Sequence, residues 1–96
     1  MADNPTKIIL HCPLEHPALL NDFVEDWIAA GVELIAAFGA GAEDVHDLID
    51  DMLVRVREDD QQFITTTWHD SESLSDVIDF ASSFGRRDAA LTQIRL

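Results

Sequence analysis

The sequence predicts an α/β domain: a three-layer sandwich in which a small parallel sheet of three to four strands carries helices on both faces. Three observations predict it. Short β-branched or aliphatic runs recur at Lys7–Cys12, Val32–Phe38 and Gln62–Trp68, each is followed by an apolar pattern of helical period, and the connections between them are short. Strands that alternate with helices in this way need crossovers, and crossovers give parallel neighbours. The 96 residues make one domain, 1–96, with 1–6 expected to fray and 86–96 expected to be a tail or an edge strand.

The run KIILHC ends at Pro13 and reads as a first strand buried on both faces. Pro17 suits the first position of a helix, where its missing N–H costs nothing. From Pro17 to Ala30 the residues Leu20, Phe23, Val24, Trp27 and Ile28 form one apolar stripe, and Gly31 is placed as its C-cap. VELIAAF is the second strand. Gly39-Ala40-Gly41 then turns the chain into a second helix carrying Val45, Leu48, Ile49, Met52 and Leu53 at helical spacing. Residues 54–57, Val-Arg-Val-Arg, fit either a continuation of that helix or a short strand, and the helix is preferred. QFITTTW is the third strand, and Ser71 or Ser73 can cap a third helix bearing Leu74, Val77, Ile78, Ala81 and Phe84. Thr92, Ile94 and Leu96 alternate as a fourth strand would.

A first strand that is apolar throughout belongs in the sheet interior, so the expected strand order is 2-1-3, extended by the tail to 2-1-3-4. In that arrangement the carboxyl ends of the three strands open on the same edge, at the switch point beside the first strand, where α/β proteins place their sites. Three loops are expected to meet there: His11 to His16, Phe38 to Gly41, and Trp68 to Asp70.

Composition excludes more than it assigns. Nineteen acidic residues face six basic ones, a formal net charge of -13. Such a surface repels nucleic-acid backbones and anionic membranes, and no window is long and apolar enough to span a bilayer. The segment MADNPTK lacks the apolar core of a signal peptide, and Cys12 stands alone, so a cytoplasmic protein is expected. The charge fits solubility, a basic protein partner, or adaptation to salt, the last because Asp outnumbers Glu 13 to 6. Like charges at i, i+4, as in Asp22/Asp26, Glu43/Asp47 and Asp47/Asp51, cost a few tenths of a kcal/mol each in an isolated helix. That points to an acidic face that meets something cationic, salt adaptation explains it equally well, and a monomer or homodimer is expected.

The chemistry-bearing residues each have a plain structural alternative. Cys12, His69 and Asp70 could form a nucleophile, base and orienting carboxylate, and Cys12, His16 and His69 could hold zinc, yet no diagnostic spacing such as CxxC or HExxH supports either. Cys12 ends the first strand, and in that position it resembles the phosphocysteine of sugar-specific phosphotransferase B subunits and the nucleophile of low-molecular-weight tyrosine phosphatases. The loop Pro13-Leu14-Glu15-His16-Pro17 departs from both, because prolines remove donors and Glu15 repels phosphate. A buried, inert cysteine is the simpler reading. Gly39 and Gly41 precede a helix, but Asp44 stands where a dinucleotide fingerprint needs its third glycine, and no cofactor is implied. A receiver domain fails too, since no acidic pair follows the first strand and no lysine follows Lys7.

Thr66-Thr67-Trp68-His69-Asp70, with Phe38-Gly39 and His46-Asp47, resembles a family of small uncharacterised bacterial α/β domains over about Val32 to Phe84. The resemblance implies no activity. It directs attention to Trp68, His69, Asp70, His46 and Asp47 without assigning them roles; the candidates for a ligand pocket are Phe38, Gly39, Gly41, His46, Asp47 and Trp68, although a buried Trp68 among hydrogen-bonded neighbours is the commoner arrangement. Two functions are therefore carried forward. The first is a small acidic binding or regulatory domain that acts through protein contacts; the second is a small hydrolase or transferase with its site at the carboxyl edge.

Overall fold

A computed structural model describes residues 7–56, 64–85 and 90–96. The elements in chain order are β1 (Lys7–Cys12), α1 (Leu20–Ala30), β2 (Leu34–Gly39), α2 (Ala42–Val56), β3 (Thr65–His69), α3 (Leu74–Ser83) and β4 (Leu91–Arg95), with one 3-10 turn at Pro17–Leu19 ahead of α1. Gly31 closes α1 with φ 81°, and the Ser73 hydroxyl caps α3 by accepting the Asp76 N–H at 3.1 Å. The helical reading of residues 54–57 holds as far as Val56. The expected fraying of 1–6, the start of the third strand at Gln62 and Phe63, and the first residues of the tail lie outside the described residues.

All strand pairs are parallel, but the order is β3-β2-β1-β4. This corrects the expected 2-1-3-4. β1 is interior as its apolar run requires, yet its second neighbour is β4, and β3 extends the sheet beyond β2. The helix layers follow from the handedness of crossovers. The steps β1 to β2 and β2 to β3 move in one direction, so right-handed crossovers put α1 and α2 on the same face. The return from β3 to β4 reverses direction and puts α3 on the other.

The core divides accordingly. On one face Ile8, Leu10 and Ile35 pack with Leu20, Val24 and Trp27 of α1 and Ile49 and Leu53 of α2. On the other, Ile9, Leu34 and Ala36 pack with Val77 and Ala81 of α3. Lys7 is also on the α3 face and is fully buried, its ammonium donating to the Ser82 carbonyl near the end of α3 at 3.2 Å.

Candidate functional site

Strand register places every candidate residue. One row across the carboxyl end of the sheet reads Arg95, His11, Phe38, His69 over β4, β1, β2 and β3, all on the α3 face. Cys12 pairs with Gly39, one residue further on, and therefore points to the α1–α2 face. The three parallel strands do bring their ends to a common edge, but Cys12 and His69 stand on opposite faces with a strand between them. Two strand spacings are roughly 10 Å. The structure does not bring Cys12, His69 and Asp70 together as a catalytic set. Nor does it join Cys12 and His16 with His69, and no metal-holding group of three His, Cys, Asp or Glu side chains occurs among the described residues.

His69 has partners of its own. It is 8% exposed, the Glu72 carboxylate lies 2.6 Å from Nδ1, and the Thr67 hydroxyl lies 2.9 Å from Nε2. A carboxylate only accepts, so the ring presents Nδ1–H to Glu72, and in its neutral form it takes the Thr67 proton at Nε2. Phe80 packs against the ring at 5.2 Å between centroids. The orienting acid is thus Glu72, three residues on, while Asp70 is exposed beyond the strand end. Trp68, expected to be buried, is 41% exposed because, among the described residues, it sits on an edge strand with only β2 beside it.

The glycine turn is structural. Gly39 has φ 112°, and a Cβ there would lie 2.5 Å from the Cys12 carbonyl oxygen, so the ends of β1 and β2 meet only across a bare backbone. Gly41, at φ 78°, starts the turn into α2 in open space. Phe38 faces α3 and meets His11 edge-on at 5.6 Å. His46 is mostly buried, with Asp47 Oδ1 3.0 Å from Nδ1 and Asp50 Oδ2 3.5 Å from Nε2. The six pocket candidates therefore do not form one pocket.

The described residues line two clefts instead. The larger, about 570 Å³, opens at the ends of β1 and β4 and is lined by His11, Cys12, Pro13, Glu15, His16, Arg95 and Leu96. It sits where the strand order reverses, the usual ligand position in open α/β sheets, and its volume falls in the range of small-molecule sites. His11 Nε2 is 2.8 Å from Gln93 Oε1, and the His16 N–H donates to the Leu96 carbonyl at 2.6 Å, which ties the loop after β1 to the end of β4. Burial pushes the Cys12 thiol up from its ordinary value, against a smaller downward pull from a backbone hydrogen bond with Phe38. The thiol is therefore a poor thiolate source at neutral pH. The smaller cleft, about 390 Å³, lies between α2 and β3, lined by His46, Asp50, Leu53, Val54, Ile64, Thr65 and Thr66. Thr66 donates its hydroxyl to Asp50 across it.

Arg95, Leu96, Asp50 and Glu72 are members of these sites that the sequence reading passed over. Glu72 alone left a signal, standing one residue past the His-Asp-Ser stretch on which attention fell. With this geometry in view, comparison with family models decides the kinship: the model of a domain of unknown function, DUF7684, matches residues 2–94. The chain belongs to the DUF7684 family. No curated protein and no solved structure matches this DUF7684 chain. Among its described residues, no helix of the DUF7684 domain is long and apolar enough to cross a membrane.

Proposed function

We propose that this domain is a cytoplasmic binding module whose acidic helical layer docks a basic protein partner. The observation that supports it is the placement of α1 and α2 side by side on one face, joined through a shared core. Their exposed acids, among them Asp22, Glu25, Asp26, Glu43, Asp44 and Asp47, then belong to a single surface rather than to two opposite ones. The two basic side chains described lie elsewhere, Lys7 buried under α3 and Arg95 in the row on the α3 face. A one-sign field of this kind speeds encounter with an oppositely charged partner and loses strength with salt.

The test is affinity capture at low salt with the native chain and with a variant carrying Asp22→Asn, Asp26→Asn, Asp44→Asn and Asp47→Asn. A basic protein that elutes on a shallow salt gradient, and that the variant releases earlier, supports the reading. Capture unchanged by neutralising the four carboxylates removes it.

The cleft between β1 and β4 supports a second reading, a small-molecule site with Arg95, His11 and His16 as its polar groups. Its position at the reversal of strand order is the specific observation in its favour. The enzymatic version, with Cys12 as nucleophile, would need a base within hydrogen-bond reach of the thiol, and His69 is too distant to be that base. Alkylation of Cys12 that leaves ligand binding in this cleft intact would count against any role for the thiol.

A further inference from the structure

The hydrogen-bond pattern of β3 fixes which backbone groups it offers. The Thr65 N–H donates to the Glu33 carbonyl beside β2 at 3.0 Å. Alternation along a parallel strand turns Thr67 and His69 the same way, and turns the N–H and C=O of Thr66 and Trp68 outward. Among the described residues β3 is an edge, so those outward groups form a short template for another strand.

What flanks that edge is negative on both faces. On the α2 side the Thr66 hydroxyl and His46 hold Asp50, whose side chain is still 50% exposed. On the α3 side His69 holds Glu72, whose side chain is 48% exposed. An added strand sends alternate side chains to each face and so meets a positioned carboxylate on both. The exposed Trp68 ring stands on the Asp50 side, where an aromatic face attracts a cation. Towards the start of β3 the cleft is floored by Leu53 and Ile64 and walled by Val54, which is 72% exposed. That end takes an aliphatic side chain.

We propose that β3 gains a fifth strand on docking: an extended lysine- or arginine-bearing segment of a partner, hydrogen-bonded to the backbone of Thr66 and Trp68 and lying along the cleft between α2 and β3. The inference rests on the reading of an acidic docking domain and names the part of the partner that is read. Charge complementarity selects this occupant over a second copy, because two chains of charge -13 repel at close range.

The probe is a capped seven-residue peptide of three valines followed by four lysines, which presents lysine to both faces and valine to the start of β3 when it pairs parallel, titrated into the ¹⁵N-labelled full chain at low salt. Shifts at the Thr66 and Trp68 amides and the Trp68 indole are expected. N-methylation of alternate peptide amides is expected to weaken binding about tenfold, and Trp68→Ala, at an exposed position, about threefold to fivefold. If shifts appear only on the exposed acids of α1 and α2, or if the N-methylated peptide binds equally well, strand addition is overturned while the acidic-layer reading stands. If a glutamate-valine peptide binds as tightly, or if no cationic peptide binds below about 20 mM salt, both fall. A concentration-dependent dimer whose shifts map to β3 gives the edge to a second copy and overturns the proposal.

Discussion

Gly39 and Gly41 are two residues apart and both have positive φ, yet they differ in what surrounds them. A side chain at Gly39 meets a backbone carbonyl that cannot retreat without parting β1 from β2, whereas one at Gly41 meets nothing within 4 Å. Gly39→Ala is therefore expected to cost about 3 kcal/mol or more, combining strain with the clash, and Gly41→Ala about 1 kcal/mol from strain alone. Denaturant melts of the two variants check the ratio, and equal losses would refute the close approach. Cys12 gives a second test at this scale. Its folded pKa is raised by burial, so folding favours the protonated thiol. The corresponding stability is complete below the unfolded thiol's value, about 8.5, and is lost as pH rises through the folded value. Disulfide-exchange labelling at pH 7.5 should be slower in the folded chain than in denaturant, and replacing Cys12 by Ala should flatten the alkaline decline of stability.

At the scale of elements, Lys7 adds a hydrogen bond to the packing of Ile9 against α3. Lys7 is fully buried on the face that carries Ile9, Leu34 and Val77, and its ammonium satisfies a carbonyl in the last turn of α3, where a cation is favoured by the helix dipole. Lys7→Ala removes both packing and donor and is expected to cost about 2 to 4 kcal/mol. Lys7→Met keeps most of the stem and should cost less. Amide exchange should quicken at the end of α3 in both variants, and an unchanged rate there would show that the contact holds nothing. Sequence reading located this strand but gave Lys7 no role, because a lysine at a strand's first residue is ordinarily solvated. Its burial depends on α3 lying over β1, and nothing in residues 7–12 records that.

For the whole molecule, the net charge of -13 makes folding and binding respond to salt with opposite sign. Compacting like charges is unfavourable, and screening relieves it. Raising sodium chloride from about 0.05 M to about 1 M is expected to raise the unfolding temperature by several degrees while weakening any basic partner. A melting temperature indifferent to salt would mean that the charges are already neutralised in pairs. Much of the fold was legible at the outset: the parallel sheet, the helix stripes, a serine cap on α3 at Ser71 or Ser73, and the fourth strand all follow from period and from turn chemistry. The site was less so. Cys12, Gly39 and His69 reach one edge as their strand ends require, but the pairing of Cys12 with His69 assumed that β1 and β3 were neighbours.

What the residues determined by themselves was the kind of each element and the face each strand residue takes relative to its own neighbours. Alternation and helical spacing are properties of a segment and survive any arrangement of the rest. Only the tertiary structure decided the order β3-β2-β1-β4, because a strand buried on both sides, such as Ile8 to Leu10, is equally satisfied whichever strands flank it. That choice, acting through right-handed crossovers, put both acidic helices on one face and, among the described residues, left β3 at the edge of the sheet.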